Sequence, residues 1–276
     1  MSRNLRLLVH QVRAQNRFFW RVPVGAFFTL ILPIIMLVLF VALFGNDVDF
    51  DGPTGSSVSA AQFYTPALAV FAVGSATYTN IAINLSTRRE DGILRRVRGT
   101  PLPPWVYMAG AILSAVWIAL VSATIMVLLG VVAYDVNIEL AKVPAMILTF
   151  AVGSATFATL GVALAGVARS ASSASALANA TILPMAFISN IFIDLGSDPP
   201  AWLRVAADLL PLKHFGVAFS EAMNPWSDAP AFVWDRLGVM ALWLVFGALI
   251  ASWRFRWDPL PGSTGRSTRR ARRVDA

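Results

Sequence analysis

Residues Val106–Tyr134 read VYMAGAILSAVWIALVSATIMVLLGVVAY, with no Asp, Glu, Lys, Arg or His among them. A bilayer core is about 30 Å thick, so a helix of about 20 mostly apolar residues crosses it. This stretch is long enough with turns to spare. Five more charge-free stretches share the pattern: Val24–Phe44, Phe63–Ser86, Val143–Ala168, Ser170–Ile193 and Leu237–Trp253. The last is short and borrows its flanking tryptophans. The pattern predicts an all-α integral membrane protein with six transmembrane helices and little soluble mass. A proton- or ion-coupled carrier normally keeps ionisable side chains inside the membrane. These stretches hold none, so the energy or gating of the protein is expected to come from outside the spans.

The composition agrees. Mean hydropathy is +0.66, and only 13% of the 276 residues are charged, against about 25% in soluble domains. No cysteine is present, which excludes disulfides, thiolate metal sites and cysteine nucleophiles. The net charge of +7 could suggest nucleic acid, but its distribution suggests a membrane. With six spans, 18 Lys and Arg fall before the first span, between the second and third, between the fourth and fifth, and after the sixth. The opposite side has only Lys142, Arg204, Lys213 and Arg236. Excess Lys and Arg marks the cytoplasmic side, so both termini are expected inside. Asp47, Asp49 and Asp51 lie in the first outer loop. The first apolar run is too long for a signal-peptide core, its basic prelude is long, and no small-x-small cleavage site follows. It reads as a retained span.

Three divisions follow. Residues 1–22 form a cytoplasmic interface helix, in which Leu5, Leu8, Val9, Val12, Asn16 and Phe19 recur at helical spacing and suit the inner membrane surface. Residues 23–256 form the six-helix membrane domain, and 257–276 a basic, disordered cytoplasmic tail. Pro33 and Pro184 each remove a backbone hydrogen bond and are expected to kink their spans. Between spans five and six, proline breaks bound two short apolar pieces, Ala201–Leu210 and Leu212–Met223. Each is too short to span and is expected as an interfacial or re-entrant helix. Trp202, Trp226 and Trp234 suit the headgroup level.

Polar residues inside the spans are hydroxyls and amides. Thr77, Asn80 and Asn84 share a face of span two; Asn179 and Asn190 share one on span five. Such groups either bond neighbouring helices, at about 0.6 kcal/mol each, or line a translocation path. Both readings stand at this level. Small residues are dense from Gly153 to Ala180, and Arg169 alone marks the turn between spans four and five, so these spans are expected to form a tight antiparallel pair.

The inner loop Thr87–Pro104 reads TRREDGILRRVRGTPLPP. Thr87 and Glu90 have capping-box spacing; Ile93, Leu94 and Val97 make a small apolar face, and Gly99 and Pro101 stop the helix. A short charged helix between two spans can dock into a partner's groove, or it can merely set topology. No P-loop sequence occurs, so the chain cannot bind ATP that way. Neither H-E-x-x-H nor G-x-S-x-G is present. His10 and His214 are expected on opposite sides of the membrane, with His214 a surface residue at the outer rim.

The order of parts resembles the membrane subunit of ABC-2 type exporters, particularly the drug-resistance branch, over nearly the whole chain. The most specific likeness is the inner loop R-E-x-G-x-L-x-R-x-x-x-T-P-L, here Arg89-Glu90-Asp91-Gly92-Ile93-Leu94-Arg95-Arg96-Val97-Arg98-Gly99-Thr100-Pro101-Leu102. The next is P-x-W-L…L-P-L, here Pro199–Leu203 through Leu209–Leu212. Asn179…Leu183-Pro184…Ser189 is also similar, with Asn190 where many relatives have glycine. The resemblance implies a bacterial inner-membrane protein pairing with a second permease, identical or homologous, and with two separate ABC ATPase subunits. It implies ATP and magnesium in those subunits and no cofactor, metal or catalytic residue in this chain. The implied ATPase-coupling loop comprises Arg88, Arg89, Glu90, Asp91, Arg95 and Arg96. The implied path, along spans one, two and five, comprises Thr77, Asn80, Asn84, Asn179, Ser189 and Asn190. Hydrophobic or amphipathic drugs, antibiotics or lipids are the implied cargo; membrane lipids are partners, and nucleic acid is not. The rival readings are a secondary carrier or channel coordinating ions through neutral oxygens such as those of Thr77, Asn80 and Asn84, and a membrane-bound enzyme. No acid, base or metal constellation in the spans supports the enzyme.

Overall fold

The computed structural model describes residues 3–21, 25, 27–45, 49–51, 57–196 and 199–258. The tail expected over 257–276 lies outside them from residue 259 onward, as do Asp47 and the start of the first apolar stretch. Among the described residues the chain forms ten α-helices and one two-stranded hairpin. They are α1 (Arg3–Trp20), α2 (Leu32–Phe44, preceded by a π-helical turn Phe27–Ile31), β1 (Asp49–Asp51), β2 (Ser57–Ser59), α3 (Ala60–Glu90), α4 (Ile93–Arg98) and α5 (Pro104–Tyr134). A short 3-10 turn, Leu140–Lys142, then leads into α6 (Val143–Val167), followed by α7 (Ala171–Ile188), α8 (Ala201–Leu209), α9 (Pro211–Met223) and α10 (Trp234–Arg254).

Five of these helices are long and apolar enough to cross a bilayer: α3, α5, Leu140–Val167, α7 and α10. The sixth expected span is represented by a shorter apolar helix, Thr29–Phe44. Its α-helical part starts only where Pro33, lacking an amide hydrogen, occupies the first turn. The α7 helix also ends earlier than its apolar run, at Ile188, because Asn190 adopts φ 63° and breaks the helical path. Two short helices, α8 and α9, fill the segment between α7 and α10 between the proline breaks, as the sequence leads one to expect. The hairpin was not foreseen: Phe50 pairs opposite Val58, and both are buried, with the Phe50 ring against Phe44, Phe63 and Tyr64.

The centre of the bundle is α3. Its most apolar stretch is 72% buried, against 17% for α10. Small residues make that position possible. Ala67, Ala69, Ala72, Ala76 and Ala82 are buried, and Gly161 of α6 meets the α3 backbone so closely that a Cβ there would lie 2.7 Å from the Tyr78 carbonyl oxygen. Close approach of this kind drives helix association where lipid is as apolar as protein. The α6 helix also packs on α10, where Thr156 and Thr159 donate to the carbonyls of Met240 and Leu244 at 3.0 and 3.3 Å.

One end of the bundle gathers α1, the start of α5, the end of α3, the α6–α7 turn and the residues after α10. There Trp257 rests against Tyr107, with ring centroids 6.0 Å apart. The other end gathers the hairpin, the end of α5, α8 and α9. The first and last described helices therefore begin and end at the same end. The α1 helix packs against α5. Ser114 donates to Asn16 Oδ1 at 2.7 Å, Phe19 is buried, and a Cβ at Gly110 would strike the Gln11 side chain at 2.5 Å. Its outer face keeps Arg3, Arg6, Arg13 and Arg17 exposed.

Candidate functional site

A cavity of about 510 Å³ lies between α1, the first apolar helix, α3 and α7. Its apolar wall is Phe18, Phe19, Leu32, Phe71, Ile83, Ile182 and Leu183; its polar wall is Thr29, Ser75, Thr79, Asn80, Asn84, Ser175 and Asn179. Asn84 Nδ2 donates to Asn80 Oδ1, so the two amides form one unit on α3. Asn179 Nδ2 donates to the Ser175 carbonyl at 3.0 Å, and the Thr79 hydroxyl has no hydrogen-bond partner. The volume is in the range of a small-molecule site, and Asn179 and Leu183 of its wall are exposed on α7.

Of the six path residues expected from sequence, Asn80, Asn84 and Asn179 meet at this cavity. The other three lie elsewhere. A π-helical turn at Ser75–Thr79 widens α3 by a residue and breaks the simple three-and-four spacing. Thr77 is consequently buried, bonding back to the Val73 carbonyl at 2.7 Å. Such turns recur at functional sites, and here the turn supplies Ser75 and Thr79 to the lining. Ser189 is buried away from the cavity. Asn190, beyond the helix end, does not share a face with Asn179; its Oδ1 accepts from the Leu195 amide at 2.7 Å. Hydroxyls four residues apart at Ser75 and Thr79, just before Asn80, are the signal that would have found the missing lining.

The charged end of α3 is an anchor. The helix runs unbroken through Thr87 to Glu90, so Thr87 and Glu90 form no capping box; Thr87 bonds back to the Ile83 carbonyl at 2.9 Å. The box is instead at Ser170 and Ser173, opening α7. Arg89 is 2% exposed. Its guanidinium donates to the carbonyls of Ala165 and Ala168 at 2.7 and 2.5 Å, filling acceptors that the end of α6 leaves open. Glu90 Oε2 accepts from the Ala171 amide at 2.8 Å, at the positive end of α7. Arg88 donates to the Tyr107 hydroxyl at 2.9 Å and sits 4.9 Å over the Phe18 ring. Three consecutive residues thus tie α3 to α1, α5, α6 and α7.

Beyond this anchor the chain turns at Gly92, whose φ of +69° suits glycine, into α4. Leu94 is fully buried, and Asp91, Arg95 and Arg96 face solvent. Ile93 is exposed rather than part of a packed apolar face. Arg98 pairs with Asp258 at 3.3 Å.

The opposite end has its own polar cluster. Lys142 is fully buried, with Nζ 2.6 Å from the carbonyls of Asn224 and Ser227 and 2.9 Å from Glu139. His214 is buried at 4% exposure, not a surface residue. Arg236 can only donate, so its contact with Nδ1 at 3.2 Å leaves Nε2 to donate to the Asp208 carbonyl at 2.8 Å. A hydrogen bond from Lys213 holds the Asp208 carboxyl below its ordinary range, against burial, with Arg236 assisting. Among the described residues no group of three or more His, Cys, Asp or Glu could hold a metal.

Comparison by sequence places the chain in a family. A match to the ABC-2 type transporter family spans residues 7–224. The chain belongs to that family. It is 30% identical over 235 residues to the daunorubicin resistance ABC transporter permease protein DrrB1 of Streptomyces coeruleorubidus, covering 83% of this chain and 77% of that protein. It is 22% identical over 220 residues to the putative transport permease YvfS of Bacillus subtilis (strain 168), covering 80% and 86%. The family match takes in most of α1, the cavity, the anchor, α8 and α9, and stops before α10.

Proposed function

We propose that this ABC-2 family protein is the membrane-spanning subunit of an ATP-driven exporter of hydrophobic or amphipathic compounds, working with two separate ATPase subunits and a second permease. The observation that carries the reading is that α3 bears both the cavity lining and the anchor. Motion imposed at α4 has a direct mechanical route to the cavity. In this reading Asp91, Arg95 and Arg96 meet the ATPase, while Arg88, Arg89 and Glu90 hold α3 to its neighbours. The first apolar stretch crosses the membrane, giving six spans, and the basic end of the bundle faces the cytoplasm of a bacterial cell. The exposed faces of the first apolar helix and α7 border the opening, where a second permease would complete the path. ATP and magnesium belong to the partner subunits. The 30% identical relative is named for resistance to a drug, which supports export of compounds of that kind.

The test is co-expression with candidate P-loop ATPases, followed by affinity purification and ATP-dependent uptake of amphipathic dyes into inverted vesicles. Stable co-purification and uptake abolished by Arg95→Glu/Arg96→Glu are expected. Uptake that persists without any ATPase, driven by an ion gradient, would establish the carrier reading instead.

A further inference from the structure

We infer that a second, smaller cavity binds a monovalent anion of chloride size between α1 and α3. The inference goes beyond the exporter reading and does not depend on it. The cavity has a volume of about 30 Å³, and its polar wall is Gln15 of α1, Asn80, Asn84 and Arg88 of α3, and Ser114 of α5. The rest of its lining is apolar. Asn80 and Asn84 also line the larger cavity, so the amide pair borders both spaces. One water needs about 10–15 Å³. The space therefore admits a single ion somewhat larger than water, and is an order of magnitude too small for a drug-sized molecule.

The polar wall is rich in donors. Gln15 is 8% exposed, and its Nε2 is buried without a hydrogen-bond partner. Asn80 Oδ1 accepts from Asn84, so Asn80 has chiefly its amide N–H groups left to offer. Ser114 spends its hydrogen on Asn16 Oδ1 at 2.7 Å and adds no donor. Arg88 brings a positive charge and five N–H donors; Nη1 serves the Tyr107 hydroxyl at 2.9 Å. Arg88 is partly buried, and among the described residues it makes no ion pair. Neither α1 nor α5 contains an Asp or Glu. A partly buried cation without a counter-charge, beside a stranded amide donor, is a costly combination. One anion accepts from both groups and balances the charge, and charge-assisted bonds are about twice as strong as neutral ones. A water molecule in the same space supplies only a dipole.

The test follows thermal unfolding of the full chain in nanodiscs while sodium gluconate, whose anion is too large for the cavity, is exchanged for sodium chloride at constant ionic strength. Chloride should raise the melting midpoint saturably, by at least about 2 °C. Gln15→Met keeps the side-chain length but removes the donor, and should weaken the chloride response at least fivefold. Crystals of the unaltered protein grown in bromide should show an anomalous peak within hydrogen-bonding distance of Gln15 Nε2, which keeps the proposal testable if Gln15→Met does not fold. A midpoint indifferent to chloride, a chloride response unchanged in Gln15→Met, or an ordered water with no bromide at the site would each overturn it.

Discussion

Replacing Arg89 by Ala removes the fork that closes the end of α6 against α3. Arg89 is 2% exposed and donates to two carbonyls, of Ala165 and Ala168. Hydrogen bonds from charged groups contribute about 1.5–3 kcal/mol each, and truncation strands their acceptors. A total loss of about 3–5 kcal/mol follows, the range for breaking a buried charged interaction. At roughly 2–4 °C per kcal/mol for a chain of this size, the melting midpoint should fall by about 6–20 °C. Thermal unfolding of the detergent-solubilised protein, followed by intrinsic tryptophan fluorescence, measures it. Arg89→Lys keeps the charge but not the planar fork and should fall in between. A midpoint within about 2 °C of the unaltered protein for Arg89→Ala would refute the anchor, because the geometry leaves no second donor to rescue both carbonyls. It would return Arg89 to the role of a topology signal.

Lys142→Met should cost about 2–4 kcal/mol by the same unfolding assay, because it strands the Asn224 and Ser227 carbonyls and unpairs Glu139. Asp208, with its lowered pKa, contributes stability that is present above the ordinary carboxylate value of 3.8 and lost as pH falls through its folded value; Asp208→Asn should flatten the acid limb of a stability–pH profile measured by unfolding. With no native cysteine, Asp228→Cys should label with an impermeant maleimide in intact cells and Thr100→Cys only after lysis, both positions being exposed at opposite ends of the bundle; the reverse pattern would invert the proposed orientation.

The helices were legible because charge-free runs of 17 to 29 residues have few alternatives in a bilayer, and α8 and α9 because proline stops are local signals. The side-chain geometry was less so, since it depends on partners far along the chain. Thr77 reads as a path residue until one extra residue in the π-helical turn moves it out of register with Asn80. Arg89 and Glu90 read as surface charges because nothing in TRREDG announces carbonyls 76 and 79 residues from Arg89 or an amide 81 residues from Glu90. Lys142 is similar: its acceptors at Asn224 and Ser227 lie beyond four intervening helices. The Thr87–Glu90 spacing matches a capping box, but the helix that contains it had already begun at Ala60, so no free amides were there to cap.

That continuity is what joins the two halves of the site. Asn80 and Glu90 are ten residues apart on one helix, about 15 Å along its axis at 1.5 Å per residue. The lower end is held to α1, α5, α6 and α7 by three consecutive side chains, and the upper end carries the π-helical turn where the lining begins. A helix clamped this firmly at its charged end cannot bend there; displacement of α4 must carry the α6–α7 turn with it or rotate α3 at the wider, less regular turn. Either response moves a cavity wall, because α7 supplies Ser175 and Asn179 and α3 supplies Ser75, Thr79, Asn80 and Asn84. On the exporter reading, the buried position of Arg89 is therefore informative: a side chain hidden from any ATPase can still be essential to coupling, by making the loop and the cavity parts of one rigid lever.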